Sequence, residues 1–268
     1  MVSTASLAAI IFTLLLSLFL PAALAIYFYR KYRFSLKALF LGAGVLLLFQ
    51  FILRIPLLSY LSGQPWFRDL STGFFFSAVI IGGLTAGLFE ECGRYLSFRI
   101  VLKHELSWKN GLAYGLGHGG IESIVTVGFA YINNLVFSLM INSGVFEHIV
   151  APQLGADAAV IREQLVALPP SLYLAAGAER LLTLLIHIAL SLLVLYAVKS
   201  KKPLFLLAAI LLHTGLNAGA LFLQESGAGI WGAELFIFAA ALAALYLIIR
   251  IRTPLAALSE RGEESKPR

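Results

Sequence analysis

The chain has 268 residues, of which 60% are hydrophobic and only 13% charged, with a formal net charge of +6. Such usage lies far outside that of soluble domains and excludes a soluble globular enzyme. The basic excess is spread over alternate loops rather than gathered on one surface, which excludes a nucleic-acid-binding face.

Taken in chain order, the apolar runs predict an all-α fold, a polytopic membrane helix bundle of about seven transmembrane helices. The runs fall at about 5–29, 36–58, 73–98, 111–140, 171–198, 204–224 and 228–249. Each satisfies the need for about 20 mostly apolar residues. The opening "MVSTASLAAIIFTLLL" has no charged leader region and reads as a retained span. Arg30, Lys31, Arg33 and Lys37 follow the first span, Arg99, Lys103 and Lys109 the third, and Lys199, Lys201 and Lys202 the fifth. The alternate loops carry only Arg68 and Arg162. Positive charge marks the cytoplasmic side, so the N-terminus is expected outside and the C-terminus inside a multi-pass plasma-membrane protein.

Residues 1–252 read as a single transmembrane domain and 253–268 as a short charged cytoplasmic tail. One loop, 142–170, is long enough for structure of its own. Asp157 is placed to cap a short helix there, Val160, Ile161 and Leu165 give it an apolar face, and Pro169 ends it. Cys92 is the only cysteine, so no intramolecular disulfide forms, and it reads as a small packing residue. No internal repeat argues for the inverted architecture of many transporters.

Ionisable groups inside spans face the bundle interior and mark function. The third span carries Glu90, Glu91 and Arg94; the fourth His118 and Glu122; the fifth Glu179, Arg180 and His187; the sixth His213 and Asn217. Arg54 and Glu234 lie nearer span ends and are expected to snorkel to the interface. At 1.5 Å per residue, Glu90 lies roughly 12 Å from the basic end of its span, His118 roughly 10 Å, His213 roughly 14 Å and His187 roughly 16 Å. Four helices thus bring polar groups to one level. Glu90 and Arg94, His118 and Glu122, and His213 and Asn217 are each four apart and share a helix face. Glycine rows at Gly111, Gly115 and Gly119, and at Gly83 and Gly87, predict close helix contacts.

Histidine and carboxylate are first-choice ligands of a catalytic zinc, and the metal acidifies a water that a nearby carboxylate then deprotonates. His118 and His213 are the best metal-ligand candidates, His187 is a third and Glu122 a weaker one. Arg94 can hold one acid ionised, leaving the other for catalysis. The HExxH pattern of soluble metalloproteases is absent.

The segments "EECGRY", "YGLGHGGIES" and "HTGLN", with His187 between the last two, resemble the YhfC-type intramembrane metalloproteases over about residues 5–250. That group is similar in turn to the type II CAAX prenyl endopeptidases, the PrsW proteases and the Aph subunit of gamma-secretase. Against the CAAX-type pattern, Arg94 comes one residue early, and Tyr114 stands where phenylalanine is usual, four before His118. The resemblance implies a water-activating glutamate, Glu90 or Glu91 with Glu90 favoured. It implies histidines that bind metal or orient water, and Asn217 beside the oxyanion; the cofactor expected from the donor chemistry is a divalent metal, zinc first. The substrate would be a membrane protein or lipidated peptide. The rival expectations are an Aph-like scaffold subunit and a proton-coupled transporter.

Overall fold

The computed structural model describes residues 1–264, with side chains through 258. Its described residues are helical and hold no strand. Seven helices are long and apolar enough to cross a membrane: Thr4–Tyr32, Leu36–Ser62, Phe75–Val101, Trp108–Ser143, Pro170–Ser200, Leu204–Glu225 and Gly229–Leu258. They match the seven runs read from hydropathy, each longer by a few residues where polar or aromatic ends extend the helix into the interface. The second, third and fourth spans each widen into π-type turns, at Leu47–Arg54, Phe75–Leu84 and Ser123–Gly128.

The contacts divide the chain into two units interleaved in sequence. The smaller comprises Met1–Ala23 and Glu122–Leu181. Its polar anchor is the Tyr173 carbonyl, which accepts hydrogen bonds from Thr13 Oγ1 at 2.6 Å and Tyr131 Oη at 3.2 Å. The loop helix forms over Asp157–Ala167, but Ala156 rather than Asp157 holds the N-cap position. Asp157 sits one residue inside, where its charge still complements the helix dipole. Leu165 and Ile161 pack inward as expected, whereas Val160 stays exposed.

The larger unit comprises Leu24–Ile121 and Leu182–Arg268 and contains the main core. Its helices touch backbone to backbone through glycines. A Cβ placed on Gly117 would lie 1.8 Å from the Leu39 carbonyl oxygen, and one on Gly42 would lie 2.1 Å from that of Tyr114. Spans two and four therefore meet at a double glycine contact. Gly115 does the same toward span five, where its Cβ would be 2.5 Å from the Ile188 Cα. On span three, a Cβ added to Gly83 or to Gly87 would lie 2.8 Å from the Thr214 carbonyl oxygen or 2.9 Å from that of Ile210, both on span six. In lipid there is no hydrophobic drive between helices, so such close approach supplies the dispersion and polar contacts that hold them.

Two expectations at the margins need correction. Arg54 does not snorkel. It is buried, and its guanidinium donates to Thr85 Oγ1 at 2.8 Å, Gln50 Oε1 at 3.0 Å and the Ile81 carbonyl at 2.7 Å. Three internal acceptors offset the desolvation that would otherwise drive it to the interface. The tail is also more ordered than a solvated coil. Arg252–Glu264 is helical, and Leu255 is buried in the main core. Near it, Lys199 ties two segments together, donating to the carbonyls of Leu106 and Leu255 at 3.0 and 2.9 Å. The 102–107 loop is latched to the start of span two as well. The Ser35 hydroxyl, and behind it the Lys37 ammonium 3.5 Å away, hold the Glu105 carboxyl below its ordinary value.

Gly117→Ala should strain the contact between spans two and four, lowering stability by about 1–3 kcal/mol or more. Gly44→Ala, where an added Cβ meets nothing within 4 Å, should be close to neutral or stabilising. Thermal unfolding of the two purified variants compares them directly, and equal melting temperatures would remove the close-contact account.

Candidate functional site

All the groups gathered here belong to the larger unit. Span three is helical without interruption over Thr85–Leu96, which puts Glu90, Glu91 and Arg94 on its inner side. Glu91, Arg94 and His118 are fully buried, and Glu90, His213 and His187 are 4–6% exposed. Glycine makes room for them. Gly119, one residue past His118, lies so close to span five that its Cβ would be 3.1 Å from the Cβ of His187. Tyr114, one turn before His118, is buried with its hydroxyl 3.2 Å from Ser97 Oγ, and its ring stacks 6.3 Å from that of His118.

Arg94 is the hub. One guanidinium nitrogen pairs with Glu91 Oε1. The other lies 2.7 Å from His187 Nδ1 and 3.5 Å from Glu90 Oε2. His118 Nε2 is 2.9 Å from Glu90 Oε2, and His213 Nδ1 is 2.7 Å from Glu91 Oε1. The His187 ring lies 5.1 Å from that of His118 and 5.7 Å from that of His213. Four helices thus converge on one cluster, as the depth and stripe arguments anticipated.

Hydrogen-bond polarity gives these residues distinct roles. A guanidinium only donates, so His187 Nδ1 accepts, and a neutral His187 carries its proton on Nε2. An ionised carboxylate only accepts, so His213 Nδ1 donates to Glu91. Its Nε2 then faces Glu90 Oε2, 4.0 Å away, and in a neutral ring would carry the lone pair. The two glutamates therefore differ. Glu91 is enclosed by Arg94 and His213, with only its second oxygen lacking a hydrogen-bond partner. Glu90 presents Oε2 to His118, His213 and Arg94 together.

The donor set suits a divalent cation. Glu90, His118 and His187 each offer a ligand atom, and those atoms lie within 4.8 Å of one another. Around a tetrahedral zinc with bonds of about 2.0–2.2 Å, neighbouring ligand atoms sit about 3.4 Å apart. Shifts of an ångström or less would therefore suffice. Two carboxylates and three imidazoles supply the anionic oxygens and nitrogen lone pairs that a divalent cation takes.

Two sequence candidates have hydrogen-bond or ion-pair partners of their own. Asn217 follows His213 by one turn, but its amide donates to the Gly82 carbonyl at 3.3 Å. Glu122 ends the helical run that carries His118 and belongs to the smaller unit, where Arg180 lies 3.9 Å from its carboxylate and pairs with Glu179. The Arg94–His187 contact was not anticipated. Only the shared depth of the two residues hinted at it.

The sequence profile described as YhfC intramembrane metalloprotease matches residues 16–237. The chain belongs to the YhfC intramembrane metalloprotease family. A relative from Bacillus subtilis (strain 168), described as uncharacterized membrane protein YhfC, is 39% identical over 213 residues. That alignment covers 77% of this chain and 80% of the relative. No solved structure matches the chain. The family's description as a metalloprotease and the buried cluster of histidines and glutamates together suggest a metal.

Removing Arg94 should be costly, because it leaves two buried carboxylates facing each other. Arg94→Gln is expected to lose about 3–5 kcal/mol of stability. Adding Glu91→Gln should recover part of that loss, since the pair shares one interaction. A double-mutant cycle by thermal or denaturant unfolding reads the coupling, and strict additivity would show that the pair is not coupled.

Proposed function

We propose that this protein is an intramembrane metallopeptidase, with Glu90 as the group that activates water. The observation that carries the reading is the asymmetry of the two glutamates. Glu91 is committed to Arg94 and His213, whereas Glu90 Oε2 faces two histidines.

Of the clustered histidines, His118 would hold the ion, which we take to be zinc, joined by His213 through Nε2, because His187 has its Nδ1 lone pair engaged by Arg94 and its proton on Nε2. His118 would ligate through Nε2 as a neutral ring, its proton then carried on Nδ1. Glu91 steers His213, keeping Nδ1 protonated and Nε2 free to ligate, the role an outer carboxylate plays at histidine metal sites. A bound divalent ion would polarise the scissile carbonyl and acidify water beside it. Glu90 accepts the water proton and passes it to the leaving amine. Arg94 fixes His187 so that its Nε2–H donates, a suitable partner for negative charge developing on the carbonyl oxygen. Asn217 would join it near the oxyanion once its amide is released from Gly82.

The substrate we infer is a membrane-embedded or lipidated segment of another protein. An apolar groove of about 440 Å³ among spans five, six and seven supports this. Its lining includes Ile186 and Leu212, neighbours in sequence of His187 and His213, together with Gly215 and Phe236. Basic loops at one end of the bundle support a cytoplasmic C-terminus in the plasma membrane. The tight Arg94 network would serve a non-catalytic scaffold equally well, and turnover decides between the two.

In proteoliposomes carrying a fluorogenic peptide with an apolar anchor, Glu90→Gln should lower the cleavage rate by about 10²–10⁴ while the protein stays folded. Cleavage at the wild-type rate in Glu90→Gln would refute the assignment. A wild-type protein that turns over no anchored peptide but co-purifies with a stoichiometric partner would favour the scaffold.

A further inference from the structure

A second polar site lies at the basic end of the larger unit, away from the histidine cluster. The ends of spans one and seven and the start of span four enclose a hollow of about 410 Å³ lined by Lys31, Tyr32, Trp108, Lys109, Arg252 and Leu255. Three separate segments of chain each bring one cation to it. The lining holds no carboxylate, and among the described residues none of the three cations has a carboxylate partner. The nearby acid, Glu105, is engaged by Lys37.

The aromatic residues give the hollow a fixed wall. Trp108 donates its indole N–H to the Ile248 carbonyl at 3.0 Å, and Tyr32 packs edge-on against it at 5.3 Å. The Arg252 guanidinium lies 5.1 Å over the Trp108 ring, and the Lys31 ammonium 5.4 Å over that of Tyr32. Lys109 is steadied by the Arg33 carbonyl at 3.3 Å. Buried Leu255 and its neighbour Ala256 add apolar surface.

We propose that this hollow binds the headgroup phosphate of an anionic phospholipid. Like charges sharing one cavity repel, and an anion between them relieves that repulsion. The site lies where spans end, the level at which lipid phosphates and interfacial tryptophan and tyrosine sit. Basic pockets between transmembrane helices are suited to lipid headgroups. The apolar surface favours a lipid over a free phosphate, because it can cover the first carbons of an acyl chain while the cations take the phosphate.

The test uses the full-length protein in mild detergent, titrated with phosphatidylglycerol or phosphatidylcholine and followed by native mass spectrometry. Wild type should retain phosphatidylglycerol over phosphatidylcholine. Lys31→Gln with Arg252→Gln should weaken phosphatidylglycerol retention about tenfold or more. Lys103→Gln with Lys202→Gln removes the same charge from the same end of the bundle and should leave retention unchanged. Equal weakening in both pairs would reduce the effect to a diffuse basic surface and overturn the site. So would equal retention of the two lipids. Displacement of phosphatidylglycerol by inorganic phosphate at matched concentration would mark a free-anion site instead, and overturn the lipid assignment. Should the double variant aggregate, Lys31→Gln alone, at an exposed position, is expected to weaken retention severalfold, and no change there would equally overturn it.

Discussion

A fully buried guanidinium with three ionisable neighbours organises the interior of this protein. Arg94 reaches Glu91 and Glu90 on its own helix and His187 on another, inside an apolar bundle where an unpaired charge would be prohibitive. Satisfying it requires spans three and five to meet at one depth. Glu91 then extends the network to span six through His213, and Glu90 to span four through His118. Because arginine never gives up its proton, the hydrogen-bond directions follow from it. They separate a glutamate that supports the site from one that faces it.

Such a network needs helices close enough for short side chains to touch, and glycine provides that distance. The contacts at Gly115, Gly117 and Gly42 bring spans two, four and five to backbone contact, and those at Gly83 and Gly87 do the same for spans three and six. The helices that carry the site histidines are the ones drawn together. Small residues therefore serve packing and chemistry with one geometry: they let span five bring His187 up against His118.

Much of this was readable in the chain. Seven apolar runs fixed the number of spans, and four-residue spacings placed Glu90 with Arg94 on one stripe. Counting residues from the basic loops put Glu90, His118, His187 and His213 at a shared level, and their contacts bear that out. What stayed illegible depended on partners far apart in sequence. Arg54 looked like a snorkelling residue because its acceptors, Thr85 and the Ile81 carbonyl, lie on another helix. Glu90 was favoured over Glu91 from the chain, but the groups that distinguish these adjacent residues lie on other helices and could not be read there. The helix at Arg252–Glu264 escaped notice because its hydropathy resembles that of a solvated tail, and only the burial of Leu255 reveals its packing.

The central claim is that histidines from two distant helices face one metal-holding site that Glu91 supports from behind. The direct measurement is metal content by inductively coupled plasma mass spectrometry of purified wild type, His118→Ala and His213→Ala, each confirmed as folded by thermal unfolding. The account predicts one equivalent of a divalent metal in wild type and its loss in both variants. A folded wild-type protein that binds no metal after reconstitution, or variants that keep their full equivalent, would contradict it.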